Sequence, residues 1–131
     1  MKPTNPQRPH LPRVSEQMKA WSAALASEIS GWPQVASRAF FGLTALYRND
    51  KIFAVLPRSR GMGTANSFGF KFETAPTSML DQLEKDSRIG STRMQKARWF
   101  TFELSSDADL HEGLEWLSRA YQAAGKTKKS Q

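Results

Sequence analysis

The stretch FGLTALYRNDKIFAVL, residues 41–56, decides the fold, because two apolar runs flank a polar dipeptide. Both residues of that dipeptide, Asn49 and Asp50, tolerate the positive φ angles that a tight hairpin demands. The runs on either side are rich in β-branched and aromatic residues, as strands are. The pattern therefore predicts two antiparallel strands, over 43–48 and 52–56, joined by a two-residue turn.

The predicted hairpin also fixes the surroundings of several side chains. Its register places Arg48 opposite Lys51, and like charges facing one another across two strands are mildly destabilising. We expect these side chains to splay into water or to meet an acidic partner. We assign Phe41, Leu46 and residues 53–56 to the hydrophobic core.

The chain before and after this hairpin continues the same kinds of pattern. Apolar residues recur at helical spacing over 15–30, which predicts a first helix that a Gly and a Pro terminate. From residue 35 to residue 72 the apolar period is two, which predicts further strands over 35–40 and 68–73. In the second of these, SFGFKFE, alternate phenylalanines share one face and polar residues the other.

The last third of the chain predicts two more helices and one more strand. A short helix to about Lys85 follows Thr77 or Ser78 as its cap. The segment RWFTFEL, 98–104, alternates as a strand does, and Ser106 with an aspartate three residues later resembles the capping box that opens a final helix. The order is αββββαβα, which predicts an α+β domain with an antiparallel sheet of about five strands, packed with N-terminal, middle and C-terminal helices.

Length and charge predict one domain with two basic ends. A chain of 131 residues suits a single core. The net charge is +7, but residues 14–125 hold 13 basic and 12 acidic residues, so the ends carry most of the excess. We expect 1–13, which contains four prolines, to be a disordered basic arm, 14–125 to be the folded domain and 126–131 to be a basic disordered tail.

Several kinds of chemistry find no support in the composition. The chain has no cysteine, no apolar run of membrane length and no apolar segment typical of a secretory signal, which favours a cytoplasmic protein with no membrane partner. The histidines, His10 and His111, have no set of ligands near them in the sequence. No nucleophile motif is present either, so we expect a non-enzymatic protein without metal or cofactor. Paired carboxylates facing one another in a cleft stay open at this point.

The basic residues of the loops are the candidate functional feature. The segment GSTRMQKARW combines arginines and a lysine with glycine, serine and threonine, as loops that contact phosphates do. RSRGMGTANSFG has Gly61 and Gly63 beside two arginines, but Asn66 fills the third glycine position of a phosphate-binding loop and a strand follows, so we interpret it as a flexible loop that joins two antiparallel strands. Trp99 alternates away from the phenylalanine face of its strand, so it is either an exposed ring on which a base can stack or a ring buried under a helix. The candidate nucleic-acid contacts are Arg58, Arg60, Arg88, Arg93, Lys96, Arg98 and Trp99.

The arrangement of these segments resembles a known family. FFGLTALYRNDKIFAVL, SFGFKF, KARWFTFEL and EGLEWLSRAYQAA are similar, in this order, to the TfoX N-terminal and MmcQ/YjbR-like group of small bacterial proteins. The resemblance covers roughly 35–124 and consists of core and turn patterns. It implies an α+β fold likened to a double-wing DNA-binding module, with a link to competence regulation in the TfoX branch and with no catalytic residue to carry over. The turn here is Asn-Asp where Asp-Gly is usual, and no second helical domain follows, so a competence role is not expected.

Three functions are compatible with these patterns. The leading hypothesis is a bacterial protein that binds nucleic acid or another polyanion through its basic loops. The second is a domain that binds a protein partner or itself through a sheet face or the side of Trp116. The third is a small-molecule binder with a pocket between the sheet and the last helix.

Overall fold

A computed structural model describes residues 14–60, 64, 66–72, 77–91 and 99–125 of the chain. The predicted arm at 1–13 and the predicted tail at 126–131 lie outside these residues. The described part has three helices and six strands. Their bounds are α1 Glu16–Ile29, β1 Val35–Phe40, β2 Leu43–Arg48, β3 Lys51–Pro57, β4 Ser67–Lys71, α2 Thr77–Lys85, β5 Ile89–Ser91, β6 Trp99–Glu103 and α3 Ala108–Gly125.

The six strands form one antiparallel sheet in the order β1-β2-β3-β4-β6-β5. The α+β class is confirmed, and five of the strands lie within a few residues of their predicted positions. The sixth, β5, was not predicted because three residues are too few to show a period. It lies at one edge of the sheet and pairs with β6, while β1 lies at the other edge.

The helices begin where the sequence provides caps. The Ser15 side chain accepts a hydrogen bond from the Met18 N–H at 3.0 Å and so caps α1. At the start of α3, Asp109 Oδ2 accepts from the N–H groups of Ser105 and Ser106 at 2.8 and 3.2 Å. The carboxylate half of the predicted capping box is therefore present.

One hydrophobic core fills the space between the helices and the sheet. Phe68 and Phe70 of β4 and Phe102 of β6 form its centre and are fully buried, with Phe68 stacked on Phe102 at 5.6 Å between ring centroids. The predicted face of SFGFKFE is confirmed. The Trp21 indole N–H donates to Asp107 Oδ1 at 2.7 Å, which joins α1 to the start of α3.

A second, smaller apolar cluster occupies the opposite face of the sheet. It consists of Leu43, Val55 and Trp99, with Ile52 packed against them. Trp99 is 8% exposed, so of its two predicted alternatives the exposed ring is wrong. The ring is buried against strand residues on the face away from the main core. Alternation placed Trp99 on the correct face but did not reveal that apolar neighbours bury it.

The β1–β2 turn places Phe41 in a different environment from the one predicted. Phe41 is 81% exposed and has a φ of 47°, so it is not a core residue as predicted. Phe41 and Gly42, whose φ is 80°, are the two central residues of the turn between Phe40 and Leu43. Positive φ at both positions is the requirement of the type I′ hairpin turn, which matches the twist of the strands. The turn geometry thus directs the Phe41 ring away from the core.

The predicted β2–β3 hairpin is confirmed, with Arg48 paired with Lys51 and a φ of 56° at Asn49. Arg48 is partly buried and contacts the last helix. The Arg48 Nη1 donates to the carbonyl oxygen of Tyr121 at 3.1 Å, and the guanidinium lies 4.2 Å from the centroid of the Tyr121 ring. A cation at the carbonyl end of α3 interacts favourably with the helix dipole. Arg48 therefore attaches the hairpin to the last helix.

Candidate functional site

The structure separates the predicted contact residues into different environments. Arg58 and Arg60 are exposed beyond the end of β3. Arg88 lies between β5 and α3 in a network of ion pairs, and Trp99 is buried. The remaining three, Arg93, Lys96 and Arg98, lie outside the described residues. Of the predicted contacts in the described part of the chain, only Arg58 and Arg60 thus lie together at an exposed position.

The segment 58–60 folds around the β1–β2 turn. The carbonyl oxygen of Gly42 accepts hydrogen bonds from three consecutive N–H groups, those of Arg58, Ser59 and Arg60, at 3.0, 2.9 and 3.2 Å. A Cβ at Gly42 would lie 2.8 Å from Ser59 Oγ, so the glycine permits this close approach. We call Phe41, Gly42 and 58–60 the Phe41 tip. It combines an exposed aromatic ring with two arginines on a backbone fixed by hydrogen bonds.

The start of α1 borders the Phe41 tip. The N–H of Val14 donates to the Ser59 carbonyl oxygen at 3.1 Å. A shallow groove of about 290 Å³ runs between α1 and the strands, and Lys19 and Arg58 both line it. Lys19 forms an ion pair with Glu16 at 3.1 Å. Lys19 is therefore a third basic side chain beside the two arginines of the tip.

The floor of the same groove contains a buried polar atom. Ser22 of α1 is 6% exposed, and its hydroxyl has no hydrogen-bond partner among the residues that the structure describes. A buried hydroxyl without a partner loses its hydration without compensation, which costs about 1–3 kcal/mol. Because this oxygen is itself inaccessible, we assign it no part in binding.

The network around Arg88 joins three elements of the fold. Its guanidinium donates to Asp86 at 2.7 and 2.9 Å, to Asp109 at 2.9 Å and to Glu112, and it lies 4.9 Å from the centre of the Phe102 ring. The hydrogen bonds from Arg88 lower the pKa of Asp86. The pKa of Asp109 is lowered first by the N–H of Ser105 and then by Arg88. The charge of Arg88 is therefore balanced within the protein.

The region between the sheet and α3 is packed with side chains. Phe68, Phe102 and Leu117 are fully buried there, and a Cβ at Gly113 would lie 3.1 Å from the Phe68 ring. This packing gives no support to a ligand pocket at that position. Trp116, the residue considered for a protein interface, is 7% exposed and stacks on Phe70 at 6.0 Å between centroids.

Within the described ranges no group of three or more Asp, Glu, His or Cys side chains has the arrangement of a metal site. In the same residues, no helix is long and apolar enough to cross a membrane.

Phe41 is the residue of this site that the sequence analysis missed. Its signal is the Phe-Gly dipeptide between two alternating apolar runs, since a glycine there marks a turn and places the preceding residue in it. Apolarity alone assigned the ring to the core instead. Comparisons with protein family models, with curated proteins and with solved structures gave no match.

Proposed function

We propose that this protein binds single-stranded nucleic acid at the Phe41 tip, with the ring as a stacking surface and Arg58 and Arg60 as phosphate contacts. The observation that carries the proposal is the 81% exposure of Phe41 in a left-handed backbone conformation beside these two arginines. A positive φ is unfavourable for an aromatic L-residue, because its Cβ is crowded by the backbone in that conformation. Such exceptions concentrate at functional sites.

Stacking explains why the exposed residue is aromatic. Unpaired bases offer a flat π face, and stacking of a base on an aromatic side chain is worth about 1–3 kcal/mol per base. The bases of duplex DNA are already stacked on one another, so a single protruding ring favours single strands. The three hydrogen bonds to the Gly42 carbonyl hold the backbone of the tip before any ligand arrives.

The arginines supply the electrostatic part of the interaction. Because residues 14–125 carry a net charge of only +1, attraction by the folded domain must come from locally placed cations. Arg58 and Arg60 lie on one short segment whose N–H groups bond to the Gly42 carbonyl, next to Phe41 in the chain, and we propose that they contact neighbouring phosphates of a strand whose base stacks on Phe41. Arg88 is left out of this proposed contact set because three carboxylates already neutralise it. Arg93, Lys96 and Arg98 stay predicted contacts of the 92–98 segment.

A salt titration of the full chain with a fluorescently labelled oligothymidylate tests the proposal. Each phosphate contact on a single strand contributes about 0.7 to the slope of log affinity against log salt. We therefore expect the double substitution R58Q/R60Q to reduce that slope by about 1.4. The basic ends are common to all variants, so the difference between variants reports on the tip alone.

R119Q is the matched control. Arg119 donates to Gln82 of α2 at 2.9 Å, and α2 contacts β5, which lies at the sheet edge opposite β1. R119Q removes one positive charge and should leave the slope unchanged. If R58Q/R60Q and R119Q reduce the salt slope by the same amount per charge removed, binding follows bulk charge and the proposed site is refuted. The variant R93E/K96E tests the second loop separately, and a loss of binding only there would move the interface to 92–98.

A further inference from the structure

The outer edge of β1 is open along its whole length in the described sheet. β1 pairs with β2 without a register shift over six residue pairs and has no strand on its other side. Residues 36–39 are all exposed, so neither face of the strand is covered over these four residues. The opposite edge of the sheet differs, because β5 has only three residues.

The backbone groups that face this edge follow from the hairpin. In a two-residue hairpin the residues that flank the turn, here Phe40 and Leu43, form a hydrogen-bonded pair, and such pairs alternate along an antiparallel ladder. The hydrogen bond from the Asn49 N–H to the Gln34 carbonyl oxygen, 2.9 Å long, agrees with this alternation. The N–H and C=O groups of Val35, Ser37 and Ala39 therefore point outward, away from β2.

β1 has few of the features by which exposed edge strands avoid pairing. Such strands are normally short, interrupted by a bulge, or provided with proline or lysine. The sequence VASRAF has neither proline nor lysine, and the β1–β2 ladder has no bulge. Its single charge is Arg38, whose guanidinium lies 5.7 Å from the centre of the Tyr47 ring. The small side chains of Ala36, Ser37 and Ala39 allow another strand to approach closely.

We infer that two copies of this chain pair through β1, antiparallel, about a twofold axis at Ser37. In this register Ser37 faces Ser37 of the second copy, Val35 faces Ala39, and Arg38 faces Ala36. Val35, Ser37 and Ala39 of each copy then all form backbone hydrogen bonds to the other copy, which gives about six interchain N–H···O bonds. The two sheets join into one continuous sheet of twelve strands.

The charge of Arg38 selects this register over its neighbour. Moving the axis by one residue, to Arg38, also satisfies the alternation but places the two arginines directly opposite one another in a close pair. The axis at Ser37 separates them diagonally. A second copy of the chain therefore fits the edge with its charges offset, and the inference is independent of nucleic-acid binding because it uses only the β1 edge.

Cysteine crosslinking tests the register directly, since the chain has no native cysteine. In the proposed dimer the Cα atoms of the two Ser37 residues are about 5.5 Å apart, within the range of a disulfide. S37C should therefore form interchain disulfides under mild oxidation. A36C is the control on the same strand, because its symmetric Cα separation of about 8 Å exceeds that range. Equal crosslinking of S37C and A36C would overturn the inference.

Sedimentation velocity tests the dimer without crosslinking. The wild-type chain should show a dimer that grows with protein concentration up to several hundred micromolar. S37P should be monomeric, because it removes an outward N–H and no hydrogen bond to β2. If that variant fails to fold, S37K serves instead, since a lysine there blocks pairing. A wild-type chain that stays monomeric throughout, or a dimer that persists in the folded variants, would overturn the inference.

Discussion

Replacing Phe41 with asparagine should make the protein more stable while weakening its binding of nucleic acid. The left-handed backbone conformation costs most L-residues about 1–2 kcal/mol, and asparagine is among the residues that adopt it most readily. The φ of Phe41 is 47°, and the following residue is Gly42, so F41N creates the Asn-Gly pair that type I′ turns prefer. Backbone strain is thus relieved without moving the hairpin.

F41N loses little hydrophobic burial. Full burial of a phenylalanine side chain contributes about 3 kcal/mol, and with 81% of Phe41 exposed the loss is about 0.5 kcal/mol. We expect a net gain of about 0.5–1.5 kcal/mol in the free energy of unfolding. Urea denaturation should show this gain as a higher midpoint with an unchanged slope. N49G is the matched control in the other hairpin, where Asn49 also has a positive φ of 56°.

The same variants separate stability from binding. Loss of one stacked base corresponds to about a 5- to 140-fold weaker affinity for the labelled oligothymidylate in F41N, whereas N49G should bind as the wild type does. A more stable F41N that binds normally would remove Phe41 from the interface. A less stable F41N would show that the ring contributes packing that outweighs its strain, and the reasoning from exposure would be wrong.

Two further substitutions test the packing of the fold. R88M should lower the free energy of unfolding by about 2 kcal/mol, because Asp86 and its neighbouring carboxylates lose their partner. The pKa of Asp86 is lower in the folded state than in the unfolded state. The stability that Arg88 provides is therefore full above about pH 4 and is lost as the pH falls through the folded-state pKa. Urea denaturation should show that the free energies of unfolding of the wild type and R88M converge in acid. S22A should stabilise the protein by about 1–3 kcal/mol in the same assay, because it removes the hydroxyl that has no partner among the described residues and improves helix propensity. A loss of stability would mean that Ser22 has a partner.

The elements that the sequence predicted are those with a sustained period. Helix α1 has four apolar residues at helical spacing, and β4 and β6 alternate over five residues each, so local pattern and final structure agree. The strand β5 lacked this signal. It is a strand because Ile89 packs against the core and because its three residues pair with β6. These are long-range contacts that no window of local sequence contains.

The candidate site was less predictable for the same reason. The carboxylates that bind Arg88 are separated from it by 2, 21 and 24 positions, so the sequence showed a free cation where the fold provides three partners. The prediction of Arg58 and Arg60 as loop residues was local and agrees with their exposure. Their neighbour Phe41 is 17 positions before Arg58, and only the strand register brings the two together.

β1 and the β1–β2 turn support both proposals because the long helices pack on other strands. α1 and α3 lie against β2, β3 and β4, while 36–39 stay exposed. An edge strand beside the helix layer loses apolar burial, but the strand and its turn keep a row of backbone groups accessible. Since the near-neutral domain attracts charged partners only weakly at a distance, its contacts must be short-range ones. Stacking at the tip and strand pairing at the edge use different groups, so F41N should leave the dimer intact and S37P should leave the stacking ring in place.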